Sequence, residues 1–511
     1  MTTTCGLKWQ ALSFVLFSII FIFIFTGASG AYAATLTVPA GGDFQSALNA
    51  AQPGDTILLQ AGSSFIGPFI LPFKAAASSS SFITIESSAL SSLPSTRISP
   101  SDAPLMPKLL SPGNNLPALD TSPSAHHYRF RGIEFAPLNP SVYVRELIRL
   151  GDGSSNQNSL SLVPHDLEFE RCYIHAHPTQ SVIRGVALNS ASTSIVNCYI
   201  SDFKSKEFDS QAVWGWNGPG PFRIVNNYLE ASGETLGFGG SDPGIAGMIP
   251  SDIEIRGNTL SRPLSWRGQW MVKNLLELKV GQRVTIEGNV MENNWADAQA
   301  GFAIQLTVRN QSGGAAWNAI RDVRIKNNIV RHVGGGVNML GRDDGYASEQ
   351  MEGVEIENNL FEDMNRERWG GSGIFLQMTE TVGVKVRHNT VLHDGMVISA
   401  YGVGNLGFEM TDNVMAHNMY GIFGTNQSPG MASINVFFPR GRFRKNVIAG
   451  ADESKYPIDN FYPPRLDDLK FVDRAGGDYR LSPASRYRGR ATDGKDPGCD
   501  FDALSAALKG A

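Results

Sequence analysis

Ile255-Arg256-Gly257-Asn258-Thr259-Leu260 is echoed by Ile286-Glu287-Gly288-Asn289-Val290-Met291, Ile325-Lys326-Asn327-Asn328-Ile329-Val330 and Ile356-Glu357-Asn358-Asn359-Leu360-Phe361. The same pattern, with its asparagine in register, recurs at Asn227, Asn389, Asn413 and Asn446. Successive asparagines from Asn227 onward are 31, 31, 39, 31, 30, 24 and 33 residues apart. A fixed strand-and-turn unit with loops of varying length is the signature of a solenoid whose insertions are confined to its rim. The expected fold is all-β, a right-handed parallel β-helix of about eleven or twelve coils. Asparagine suits the inside of such a turn because its amide both donates and accepts, so stacked coils can share one continuous row of hydrogen bonds.

Weaker copies precede the ladder, with Ser88 and Ile133 in its position and then Cys172 and Cys198. These two cysteines fall on neighbouring coils, where a disulfide and a stacked pair of buried thiols are both possible. Cys499 has no evident partner, and no cysteine spacing suits a metal or redox motif. Ahead of the coils, Asp43 to Ala50 is expected to form a short helix with Phe44, Ala47 and Leu48 on one side, closing the open end of the solenoid. The Ser-rich stretch 78–101 and the Pro-rich stretch 104–123 are expected to be long loops. Residues 450–511, after the domain 34–449, are expected to run back along the outside of the coils as a proline-rich tail ending in a short helix.

The first 33 residues read as an export signal: Lys8, an apolar run from Ala11 to Thr26, and Ala31-Tyr32-Ala33 before the cleavage point. The mature chain is therefore expected to be secreted or periplasmic and monomeric, with no membrane span. Loss of Lys8 takes the formal charge from −5 to −6. With acids and bases mixed and no basic tail, nucleic acid is not an expected partner.

A second strand is readable between asparagines, in segments beginning at Gly185, Thr235, Leu275, Phe302, Gly336, Gly373, Met396 and Tyr420. If Leu276 and Leu278 face inward, strict alternation turns Leu275, Glu277 and Lys279 outward, and exposes Gln305, Thr307, Arg309, Asn338 and Arg342 on neighbouring coils. Five tryptophans within about eighty residues, Trp214, Trp216, Trp266, Trp270 and Trp295, are interleaved here with charged groups such as Arg267. That mixture suits a carbohydrate, because indoles stack on sugar C–H faces while polar groups bond the hydroxyls. The expected partner is a polysaccharide or oligosaccharide.

Lys279 is the leading candidate base for β-elimination on a uronate, with Lys273 as an alternative. Glu277 stands beside Lys279, and Arg309, Arg342 or Ca2+ would neutralise the sugar carboxylate. Glu234 with Asp242 could instead serve glycoside hydrolysis, and Asp209, Glu234 and Asp242 could bind calcium. Trp214, Trp216, Trp266, Arg267, Trp295, Gln305 and Asn338 are the expected sugar contacts. His332, His388, His393 and His417 read as turn or surface residues.

The opening LTVPAGGDFQSALNAAQPGDTILLQAG and the segments NNYLEA, EGNVMENNW, KNNIV and NNLFED resemble the pectate-lyase-like superfamily, more narrowly secreted bacterial right-handed parallel β-helix repeat proteins. The resemblance spans Leu36 to Ala449. It implies a superfamily of lyases, hydrolases and epimerases of uronate-containing polysaccharides, phage tailspikes and adhesins, whose sites usually lie in the groove over the outward face of one sheet. It carries over no catalytic residue, because the chain matches neither a characterised lyase motif nor the paired aspartates of polygalacturonases. A lyase, a hydrolase and a noncatalytic glycan-binding or envelope protein all remain compatible with it.

Overall fold

The computed structural model describes residues 1–6, 33–75 and 78–509, so nearly all of the export signal lies outside the described residues. Residues 34–511 form one compact unit. Among the described residues no helix is long and apolar enough to cross a membrane.

Three parallel sheets build the unit, with 14, 13 and 12 strands. The chain visits them in rotation, and parallel strands joined this way wind with a right-handed sense. The first sheet precedes the asparagine, the second follows it, and the third carries the segments that alternate with the ladder. Their inward Val, Ile, Leu, Met and Phe form one continuous core from Val38 to Tyr456.

The repeat Gly-Asn or Asn-Asn has a backbone cause. The residue before each ladder asparagine lies in the left-handed region: φ is 54° at Asn226, 65° at Gly257 and Gly288, 56° at Asn327 and 55° at Asn358. Glycine enters this region without a Cβ clash and asparagine tolerates it. The next side chain then points inward, where the amide of each asparagine bonds the following coil. The backbone N–H and Nδ2 of Asn289 donate to Asn328 Oδ1 at 2.9 Å each, and the same pair runs from Asn328 to Asn359.

The row extends beyond the repeat in both directions. Asn446 donates to Asn460 at 2.9 Å. At the other end the Cys198 N–H donates to Asn227 Oδ1 at 2.8 Å and the Cys172 N–H to Cys198 Sγ at 3.3 Å. Cys172 and Cys198 are free buried thiols in ladder positions, so of the two possibilities the structure shows the stacked pair.

Asp43 caps the first helix, Phe44–Ala50, by accepting from the Ser46 N–H at 2.9 Å, and Phe44, Ala47 and Leu48 are buried. The two early stretches expected to be loops are partly coil: strands Ile83–Ser87, Lys108–Ser111 and Leu119–Thr121 belong to the three sheets. Ile83–Ser87 is the strand of the repeat copy at Ser88, whereas proline-rich composition hides Lys108–Ser111 and Leu119–Thr121, because a strand of three or four residues can join a stack with only one to three buried side chains. From the C-terminal segment, Thr492 bonds Asp412, the Cys499 N–H donates to Thr390 Oγ1 at 2.9 Å, and the Asp500 N–H donates to Asn358 Oδ1 at 2.6 Å. It therefore runs along the asparagine turns in reverse order and ends in the helix Phe501–Ala507.

Candidate functional site

A cavity of about 820 Å3 opens over the outer face of the third sheet. Its floor spans the strands Leu119–Thr121, Val144–Leu150, Val182–Leu188 and Gln211–Gly215, and Lys279 closes the far end. Arg149, Ala187, Trp214, Gly237 and Glu277 occupy one register row across five strands. Four steps of about 4.8 Å make this row about 19 Å long, enough for an extended chain rather than a single sugar.

Side chains three apart share the outer face here. Glu146 bonds Arg149 at 3.1 Å, and Asn274 Nδ2 donates to Glu277 Oε2 at 2.9 Å. Strict alternation therefore fails: Leu275, expected outside, is fully buried in the core, and Asn274 takes its place. The aligned segments were begun one residue late. Arg184, Glu234 and Asn274 each immediately precede the assumed strand start, and all three are outward polar groups. Extending the segments by one residue adds Arg184 and Asn274 to the outer face and places the already expected Glu234 there with them.

Beneath the far end of the cavity, under its lining, lie two buried carboxylates on neighbouring strands. Glu234 is 0 % exposed and Glu277 2 %. Gln211 Nε2 donates to Glu234 Oε2 at 3.0 Å. Lys273 Nζ is 3.3 Å from Glu234 Oε1 and 2.5 Å from Asp209 Oδ1, while Lys279 Nζ is 3.6 Å from Glu277 Oε1. The Lys279 ammonium also lies 5.5 Å from the centre of the Trp214 ring, whose Nε1 is fixed by the Gly239 carbonyl at 2.8 Å.

Burial, and after it the negative charge of Glu277, push the Glu234 carboxyl up to about 7. The Lys273 amine is pulled down by burial, but Glu234 and Asp209 outweigh this and leave it raised, the wrong direction for a base. Beneath the site, fully buried Arg262 bonds the carbonyls of Ala231 and Asn274 at 3.1 and 2.8 Å, and also Asn294. Burial draws its guanidinium down to about 9, against the opposing charge of Glu234.

Two oxygens here lack a well-directed hydrogen bond, although Lys273 pairs with one of them. Glu234 Oε1 accepts no well-directed hydrogen bond, and neither does Asn274 Oδ1 on the adjoining coil. Lys273 already pairs with Asp209 and Glu234, and Lys279 with Glu277, so these carboxylates do not present the free oxygen cage that a calcium ion takes.

The other expected residues are distributed differently. Asp242 does not join Glu234; its Oδ2 accepts from the Ser312 and Gly314 N–H groups at 3.1 and 2.9 Å and ties two loops together. Arg309 pairs with Asp343 at 3.5 Å and with Asp344, while Arg342 bonds Gln350 at 3.0 Å and the Ser348 carbonyl at 2.8 Å. Both arginines brace loops outside the cavity lining. Trp266 and Trp295 are buried with Val272 and Trp369 in a separate apolar cluster, so neither offers a face to a sugar. Arg267 is exposed and does not line the cavity.

Trp214 and Trp216 do line it, Trp216 beneath the Arg184 guanidinium at 5.0 Å. Gln305 and Asn338 continue the sheet's outer face as an amide row, Asn338 to Gln305 at 2.7 Å and Gln377 to Asn338 at 3.0 Å. His332, His388 and His417 bond or pair with Asp363, Asp412 and Tyr456, and His393 is half-buried between two carbonyls.

Missed at the near end were Asp120, Arg145, Glu146, Arg149 and Arg184. Arg184 Nη1 bonds Glu146 at 2.6 Å, and Arg149 bonds Asp120 at 3.1 Å. Arg145 makes no ion pair among the described residues and faces the cavity.

No protein-family model matches the sequence, and no curated protein is similar to it. Among solved structures, the chain is similar to the PL6 family alginate lyase AlyGC, at 13% identity and TM-score 0.51 over 93% of this chain; it spans 58% of that protein. It is also similar to a GH87 alpha-1,3-glucanase from Streptomyces thermodiastaticus, at 11% identity, TM-score 0.46, 83% of this chain and 71% of that one. A third is pectate lyase Pel9A, at 12% identity, TM-score 0.41, 90% and 92%. At these identities the likeness is one of fold.

Proposed function

We propose that the protein is an exported polysaccharide lyase that cleaves a uronate-containing glycan by β-elimination in the cavity on the third sheet. The observation that carries this reading is the convergence of the Lys279 ammonium, the Trp214 ring and the paired carboxylates Glu234 and Glu277 at one end of a trough about 19 Å long. Lys279 is the base: as the neutral amine, its ammonium proton having first passed to solvent, it takes the proton from the carbon next to the sugar carboxylate. A carbon–carbon double bond then forms as the bond to the glycosidic oxygen breaks, and that oxygen takes a proton from water.

The cavity lining holds four cationic side chains, Arg145, Arg149, Arg184 and Lys279, and four acidic ones, Asp120, Glu146, Asp152 and Asp209. Charge balance alone therefore does not attract a polyanion. Lys273, 2.5 Å from Asp209 and 3.3 Å from Glu234, takes the place a calcium ion would have among these carboxylates, so positive charge for the substrate carboxylate comes from the cationic side chains of the lining. The expected calcium set Asp209, Glu234 and Asp242 is not assembled either, because Asp242 is committed to its loop. Trp216, half-buried in the lining, offers its indole to the sugar, whereas Trp214 is buried in the floor beneath it, and Arg145, lacking an ion pair, meets a carboxylate further along the chain.

Glycoside hydrolysis is the second reading, favoured by one observation. A Glu234 carboxyl protonated near neutrality beside Glu277 is an acid and base pair of the kind such hydrolysis needs. The product decides. Purified exported protein is incubated with a panel of uronate-containing and neutral polysaccharides. Elimination yields an unsaturated, ultraviolet-absorbing chain end that Lys279→Ala abolishes; new reducing ends without absorbance refute elimination, and full activity in Lys279→Ala removes Lys279 as the base.

A further inference from the structure

Three of the chain's nine histidines converge away from the carboxylate pair, at the turn into the first sheet. His126 and His165 are register partners that open neighbouring strands, His126–Arg131 and His165–Glu170. Coil spacing stacks their rings 4.7 Å apart, nearly parallel at 16°. His127 and Asp166, one position on, lie in the left-handed region with φ of 59° and 53°, which turns them toward the same corner. His165 Nδ1 is 2.6 Å from Asp166 Oδ2, and His127 Nδ1 is 3.8 Å from the same oxygen.

We propose that His127, His165 and Asp166, with His126 packed against both imidazoles, form a binding site for one transition-metal ion of the zinc class. One donor atom from each of the three lies within 4.8 Å of the others. A tetrahedral ion with bonds of about 2.1 Å needs donors about 3.4 Å apart, a difference that small side-chain rotations absorb. Two imidazoles and a carboxylate suit zinc, copper or nickel, whereas calcium takes oxygen donors.

The close packing of the rings limits where their protons can sit. His126 Nδ1 and His127 Nδ1 are 2.8 Å apart, so one ring must present a lone pair there and the two cannot both be imidazolium. Phe73 and Phe82 pack against His126 and His127 with ring centres 5.4 and 5.1 Å away, walling the corner with apolar surface.

The position gives the ion a consequence. Thr121 and Pro123 on one coil, and Leu162 and Pro164 on the next, line the cavity immediately before the chain reaches His126 and His165. A metal bridging His127 to His165 and Asp166 clips these two cavity walls together. The site stands on its own geometry and does not depend on whether the cavity performs elimination.

The test uses the exported chain without a polyhistidine tag, stripped with chelator and titrated with Zn2+ by equilibrium dialysis, with Ca2+ as competitor. One Zn2+ per chain is expected, undisplaced by Ca2+, together with slower backbone hydrogen exchange in 121–125 and 160–166. His165→Ala and Asp166→Asn should each weaken binding at least about tenfold, the scale on which even indirect partners of metal ligands act. His165 is half-exposed, so His165→Gln is the second variant for confirming that a loss reflects a missing ligand rather than misfolding, with circular dichroism as the check. No zinc bound by the parent, or undiminished binding in folded His165→Gln and Asp166→Asn, overturns the proposal.

Discussion

Replacing Asn328 by alanine tests whether the ladder holds the coils together. The Asn328 side chain is fully buried and makes five hydrogen bonds. Its Nδ2 donates to Asn359 Oδ1 and the Ile286 carbonyl at 2.9 Å and to the Lys326 carbonyl at 3.0 Å, and its Oδ1 accepts from the Asn289 N–H and Nδ2 at 2.9 Å each. Alanine deletes all five, but the losses are unequal. Asn289 Nδ2 keeps the Ile255 and Glu287 carbonyls, and Asn359 Oδ1 keeps the Asn328 N–H. The Asn289 N–H loses its acceptor outright and two carbonyls each lose a donor. One buried donor left unpaired costs about 1–3 kcal/mol, a carbonyl with a second lone pair less, so the expected destabilisation is about 2–3 kcal/mol. Glu349→Ala is the control: Glu349 is exposed and holds Arg321 at 3.4 Å, a contact worth at most about 1 kcal/mol. Guanidinium unfolding midpoints measured side by side, with unchanged slopes, provide the comparison. Equal midpoints for Asn328→Ala and Glu349→Ala would refute the reasoning, because a row of buried amides would then contribute no more than one surface ion pair.

Glu234 sets a pH dependence: because its carboxyl rises from 4.5 to about 7 on folding, the folded chain keeps a proton that the unfolded chain releases across that window. Stability supplied by this group is complete below about pH 4.5 and is lost as pH rises toward 7, by on the order of 3 kcal/mol. In chelator, Glu234→Gln should flatten this part of the profile, and an unchanged slope would show that Glu234 titrates normally. Trp216→Ala should weaken oligosaccharide binding measured by calorimetry, whereas Trp266→Ala and Trp295→Ala should lower stability by about 3–5 kcal/mol without altering affinity in the folded fraction. Burial drives the Cys172 thiol well above its ordinary range, so Cys172 and Cys198 should resist thiol reagents until the protein unfolds and then both react; detection of a disulfide between them in the exported protein would contradict the structure.

The ladder was legible because three requirements fall on adjacent residues: a left-handed backbone at Gly257, Gly288 or Asn327, an inward amide at Asn258, Asn289 or Asn328, and an apolar pair on either side. The constraint is local, so it is written locally. The third sheet was readable for the same reason wherever Leu276, Leu278, Ile304 and Met339 fill the core. Its outer face was read less well because a period of two was imposed on strands that carry a one-residue shift. That shift exchanged Leu275 for Asn274 and concealed Glu234 and Arg184 as companions of the same face.

Tryptophan content was the weakest guide, since an indole is as useful for filling a gap between loops as for meeting a sugar, and composition does not separate Trp295 from Trp216. Sites assembled across coils were harder still. Glu234 and Glu277 lie 43 residues apart, and His127 and His165 lie 38 apart. In each case the pairing depends on loop lengths that no repeat fixes. Yet once the coil register is known, both sets follow: Glu234 shares a row with Asn274 and Glu277 stands three residues along the same face, while His165 shares a row with His126 and His127 stands one residue on, rows on neighbouring coils being about 4.8 Å apart. In a solenoid the unit of chemical function is therefore the register row, and the search for its sites is a search down columns of an alignment of the chain with itself.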